Sequence, residues 1–122
     1  MSHAARVALA VALLASSGCA RYTRANVSYA ANPDLAGSVR FSSGVARARI
    51  DNLGIVQTSV TSDASCDEVA VTALRNLLAE AKAVGGSRVE EVQFRGRWSW
   101  LGQPVCRGLG EKTALVRGFA VK

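Results

Sequence analysis

Cys19, Cys66 and Cys106 are the residues of this chain with the widest chemical repertoire, because a thiol can be a nucleophile, a metal ligand, a lipid attachment point or half of a disulfide. Their positions separate these roles. Cys19 closes an apolar leader, whereas Cys66 and Cys106 form an even pair 40 positions apart in the body of the chain. In an oxidising compartment two such cysteines pair more often than they stay free. Closing a loop of that length restricts the unfolded chain and contributes roughly 4 kcal/mol. A sharper reading is a redox thiol, since Cys66 stands at the start of a helical pattern where a thiolate is favoured. No Cys-x-x-Cys accompanies it.

The leader places the protein. Arg6 precedes the apolar run Val7 to Ala15, followed by Ser16-Ser17-Gly18-Cys19, which is the layout of a bacterial secretory signal and too short for a finished membrane span. Small residues before a cysteine resemble the lipobox of bacterial lipoproteins, with Ser16 standing where leucine is usual. Cys19 is then the lipidation site, and the covalent lipid is the only attached group expected. Cleavage after Gly18-Cys19-Ala20 at a small-x-small site is the alternative, and it would discard the cysteine. Ala20, rather than Asp, follows Cys19, which by resemblance to lipoprotein sorting implies the outer membrane with the domain in the periplasm.

Composition removes several classes of catalyst. The single histidine, His3, and one basic residue, Arg6, leave with residues 1–18, so 14 Lys and Arg remain against 9 Asp and Glu. Without histidine neither a Ser-His-Asp nor a Cys-His set can be built, and two thiols fall short of the three or four ligands of a zinc site. No metal or other cofactor is expected, and nucleic acid is not an expected partner in this compartment. Gly108-Leu109-Gly110-Glu111-Lys112-Thr113 faintly echoes a phosphate loop but lacks the Gly-Lys junction and the strand-loop-helix setting, so it reads as a turn entering a strand.

What remains is a cluster of Arg95, Arg97, Trp98, Trp100 and Arg107. Arg and Trp dominate binding hot spots, and together they suit a protein partner, a membrane interface or a polyanionic sugar. The plainer reading is that one Trp fills the core beneath the helix while the arginines are solvated.

The elements that must position these residues are one helix and several strands. Ser65 and Glu68 form a capping box, Asp67 and Glu68 complement the helix dipole, and Val71, Leu74, Leu78 and Ala81, flanked by Ala70 and Leu77, give one apolar stripe. Gly85-Gly86 ends the helix, so it runs over about 66–84. From Ser38 the texture turns strand-like, with Val39 and Phe41, and alternation predicts strands at Val45–Ile50 and Ile55–Val60, a long strand or hairpin arm at Val89–Trp100 and a last strand at Lys112–Val121, with a turn at Asn52-Leu53-Gly54 and a bulge marked by Gly118. In the third of these, Val92, Phe94, Trp98 and Trp100 should share one side. Residues 20–37 show no period and few large aliphatics, and read as a tether reaching on the order of 60 Å when extended at about 3.3 Å per residue. The organisation is therefore a signal peptide (1–18), a lipidated N-terminus and flexible tether (19–37) and one α+β domain (38–122), a long helix on a small, mostly antiparallel sheet stapled by a disulfide.

Cys66, Ala73-Leu74, Leu77, Ala81, Gly85-Gly86 and Val89, then Cys106-x-Gly108 and the terminal Arg117-Gly118-Phe119-Ala120-Val121-Lys122, resemble small proteobacterial envelope proteins often mislabelled as an excinuclease subunit. The resemblance spans about residues 38–122. That group is similar in fold to the outer-membrane lipoprotein that senses envelope stress for the Rcs phosphorelay, and more distantly to a pentameric family named for heavy-metal binding. The resemblance implies a lipoprotein with a tether and a small α+β domain, a helix packed on a sheet, held by disulfide chemistry. The lipobox, the tether and the absence of catalytic sets lead to the expected function: a non-enzymatic outer-membrane lipoprotein whose periplasmic domain binds an envelope protein or cell-wall component, in envelope stress sensing or maintenance. This chain departs from the stress sensor in having two domain cysteines rather than four, and from the mislabelled group in having Ser87-Arg88 in place of Asn-Ala. A purely structural envelope component, or a thiol-redox or small-molecule-handling protein, are the other functions compatible with the residues.

Overall fold

The computed structural model describes residues 21–43 and 52–122, so the leader, Cys19 and the expected Val45–Ile50 strand lie outside the described residues. The elements run β1 (Tyr22–Arg24), β2 (Val39–Phe41), β3 (Asn52–Ser62), α1 (Cys66–Ala83), β4 (Arg88–Arg95), β5 (Trp100–Leu101), β6 (Val105–Arg107) and β7 (Lys112–Val121). The α+β class and the stapling disulfide of the sequence reading are both present.

Helix α1 forms where its capping signals place it. Ser65 is the N-cap, its hydroxyl accepting from the Glu68 N–H at 3.2 Å. At the other end the Gly86 N–H donates to the Ala81 carbonyl and the Gly85 N–H to the Lys82 carbonyl, with Gly85 at φ +93°, a left-handed cap that favours glycine. Val69, Ala70, Ala73, Leu74, Leu77, Leu78 and Ala81 are buried along one face. Val71, expected in that stripe, is only half-buried at its margin.

Strand β7 is the middle of the sheet. β3 runs antiparallel along one edge, from Ser62 opposite Lys112 to Asn52 opposite Val121. The other edge is shared: Arg107 of β6 lies opposite Thr113, and β4 pairs with the second half, from Phe94 opposite Val116 to Arg88 opposite Val121. Beyond β4 come β2, parallel, and β5, antiparallel, while β1 pairs antiparallel with β6. The result is a curled half-barrel of seven strands rather than the small antiparallel sheet expected. α1 packs chiefly on β7 and β3, and Ala114, Val116 and Ala120 face the core from β7 with Val89, Val92 and Phe94 from β4.

Two bulges contribute to the curl, because an extra residue on one strand sharpens its local twist. Asn52-Leu53-Gly54 is not a turn: Asn52 to Ile55 on β3 spans only Val121 to Phe119 on β7, so these residues form a bulged start to the strand, with Gly54 at φ +110°. The second bulge lies across from Gly118 rather than at it. Glu90 pairs with Phe119 and Gln93 with Arg117, and Glu91 takes the extra position at φ +53°. A Cβ on Gly118 would come within 2.6 Å of Val89 Cγ1, so glycine there lets the bulged strand approach.

The segment expected to be a tether is packed on the domain. β1 adds to β6 within it, Ala25 is buried, and Leu35 is fully buried in the core. The Ala25 N–H donates to the Pro104 carbonyl, and the Val89 N–H to the Ser38 carbonyl. This strap carries no sequence signal because its one strand, β1, is three residues long and its one large core residue, Leu35, stands alone, leaving no period to detect.

Candidate functional site

The disulfide joins Cys66, the first residue of α1, to Cys106 in β6, with Cα atoms 5.8 Å apart. Both residues are buried, Cys106 almost completely. The pair thereby ties the start of the helix to the short strand that carries Arg107 and supports β1.

The Arg and Trp residues lie where one strand turns back on itself. β4 ends at Arg95, the Gly96 N–H donates to the Ser99 carbonyl across a tight turn, and β5 returns with Trp100 opposite Arg95. This reversal overturns the expected sidedness. Val92 and Phe94 are fully buried, but Trp98 at the turn is 85% exposed and Trp100 is half-buried beside Arg95. Neither tryptophan belongs to the core, which the plainer sequence reading had required of one of them.

Trp100 organises the first half of the site. The Arg117 guanidinium carbon lies over its ring, 4.0 Å from the centroid, and that of Arg95 lies 5.9 Å away. Arg117 also donates from Nε and Nη2 to Gln93 Oε1, at 3.2 and 3.0 Å. Stacking and this two-pronged bond fix the plane of Arg117, and two of its five N–H groups are used. Gln57 lies opposite Arg117 on β3, while Ile55, 64% exposed, lies opposite Phe119. This face of the sheet is the one turned away from α1, since alternate residues of β7, Ala114, Val116 and Ala120, point to the core.

Arg97 and Arg107 belong to the other half. Arg97 lies 5.8 Å from the Tyr22 ring centroid and 6.0 Å from that of Trp98. Arg107 is opposite Tyr22 across the β1–β6 ladder and opposite Thr113 across β6–β7. The five residues singled out in the sequence thus separate into Arg95 with Trp100 and Arg97 with Trp98 and Arg107. Arg117, Gln93 and Tyr22 complete the two groups and were missed, because they come from strands distant in sequence whose register only the fold supplies.

On the far side, an open cleft of about 430 Å³ lies between the strap and α1, lined by residues including Asn26, Asn32, Asp67 and Arg75. Arg75 holds Asp34 through Nε at 2.8 Å and Nη2 at 3.1 Å, and this ion pair keeps the Asp34 carboxyl below its ordinary value. Among the described residues no three His, Cys, Asp or Glu side chains come together as a metal site, and no helix is long and apolar enough to cross a membrane. The Gly108–Glu111 segment is a turn, and Lys112 is occupied, donating to the Ala64 and Gly110 carbonyls. Comparison of the chain with family models, with curated proteins and with solved structures found no match.

Proposed function

We propose that this chain is a non-enzymatic lipoprotein of the outer membrane, anchored through Cys19, whose periplasmic domain binds an anionic group of an envelope protein or cell-wall component. The observation that carries the reading is the Arg117–Gln93–Trp100 arrangement with Arg95 beside it. A guanidinium held planar on an indole and oriented by an amide keeps free N–H groups for a carboxylate or phosphate, and loses little freedom on binding. The leader supports the location, and the buried disulfide is in keeping with an oxidising compartment. The role proposed for that binding is sensing or maintaining the envelope, in keeping with the resemblance of residues 38–122 to small envelope proteins similar in fold to a stress-sensing lipoprotein.

Crosslinking in intact cells tests it. Arg117→Ala with Trp100→Ala should reduce capture of the partner by about tenfold or more, the loss expected of hot-spot residues, while the Cys66–Cys106 bond and the helical circular dichroism stay as in the parent. Undiminished capture with a folded double variant sinks the binding-face reading and leaves the purely structural role.

A further inference from the structure

We infer that Tyr22, Arg97, Trp98 and Arg107 form a patch that docks the domain flat on the anionic lipid surface to which Cys19 anchors it. The inference rests on the lipoprotein reading for the anchor, and adds a lipid partner for half of the face described above.

Chain length gives the first argument. Three peptide spans separate Cys19 from Tyr22, so their Cα atoms lie no more than about 11 Å apart. Tyr22 is not in a free tether but in β1, paired with Arg107 of β6, and the Arg21 carbonyl accepts from the Gly108 N–H at 2.9 Å. An anchor at Cys19 therefore presents the surface around Tyr22 and Arg107 to the bilayer. The reach of about 60 Å expected of an extended tether is replaced by close apposition.

The chemistry of that surface gives the second. Trp98 is the most exposed large apolar side chain among the described residues, at 85%, and it projects from a tight turn. Its ring and that of Tyr22 flank the Arg97 guanidinium. Amphipathic aromatic rings settle at the headgroup level, and arginines beside them meet lipid phosphates. Arg21 and Arg24 are exposed on the same short stretch, Arg24 donating to Gln103. Of the carboxylates nearby, Asp67 is turned to the strap, accepting from the Asn26 N–H at 2.8 Å, and Glu111 is exposed in the turn after Arg107, one negative charge against the arginines Arg21, Arg97 and Arg107. Positive charge and an indole at the anchored end complement an anionic bilayer.

The test separates the anchor from the docking. The purified full chain is first digested and weighed to establish whether Cys19 carries lipid. It is then placed in phosphatidylethanolamine vesicles containing phosphatidylglycerol and lipids brominated near the headgroup, which quench nearby indoles. Trp98 fluorescence should be quenched, and Trp98→Phe should remove that quenched component. In parallel, the mature chain with Cys19→Ala, exported behind an ordinarily cleaved signal so that neither leader nor lipid remains, is titrated with the same vesicles. Arg97→Ala with Arg107→Ala should weaken its binding about 30-fold, roughly fivefold for each charge near the surface, with an unchanged melting temperature as the folding control. A lipidated Cys19 with unquenched Trp98 overturns the docking and leaves the lipoprotein reading standing. An unlipidated Cys19 with salt-sensitive, Arg97- and Arg107-dependent vesicle binding supports the docking and overturns the anchor. Equal binding to neutral phosphatidylcholine vesicles, or none to either, overturns the docking.

Discussion

At Gly118 the absence of a side chain decides how two strands meet. A methyl group there would stand 2.6 Å from Val89 Cγ1, 3.2 Å from Val92 Cγ2 and 3.1 Å from the Glu90 carbonyl, all on the bulged strand β4. The two methyl-bearing side chains belong to fully buried residues, so neither can swing into solvent to make room. Overpacking of this kind costs about 1–3 kcal/mol, and in a domain of this size each kilocalorie lowers the melting temperature by roughly 4–8 °C. Gly118→Ala should melt correspondingly earlier in a thermal scan, and parent-like melting would mean that the bulge at Glu91 can slide. The break in alternation at Gly118 was visible in the sequence, but not that the extra residue lies on the opposite strand. Arg117 was illegible for a related reason: its partner Gln93 is defined by register, and register is set by where the bulge falls.

At the scale of elements, local signals were readable and long-range pairings were not. α1 was legible because it carries its own caps, its own period and its own glycine stop. The strap was illegible because Leu35 and the three-residue strand β1 gain their stability only from partners far along the chain. One ion pair now joins these two elements, Arg75 of α1 to Asp34 of the strap. Because Arg75 keeps the Asp34 carboxyl below its ordinary value in the folded chain, their attraction stabilises the fold above the ordinary carboxylate range. That contribution fades as pH falls through the lowered folded-state value. Both side chains are about half exposed, so the effect on global stability is small. The clearer readout is a carbon-detected NMR titration of Asp34, whose midpoint should rise in Arg75→Ala; an unmoved midpoint would show that the pair does not persist in solution.

For the whole molecule, packing of the strap changes what must be counted as the domain. A unit limited to residues 38–122 would lack Ala25 and Leu35 from its core and leave the edge of β6 without β1. Burying a leucine side chain is worth about 1.5–3 kcal/mol, and truncating one to alanine in a core costs about 2–5. Against the 5–15 kcal/mol typical of whole domains, that is a large share even with the disulfide in place. Leu35→Ala should therefore lower the urea midpoint by an amount equivalent to about 2–5 kcal/mol. A chain beginning at residue 38 should lose more, since an uncovered strand edge also invites association. Under the tether reading the same changes would be silent, because a solvated linker has no core contact to lose. A parent-like urea midpoint for Leu35→Ala would restore the tether, and with it a domain free to stand away from the membrane instead of resting on Trp98.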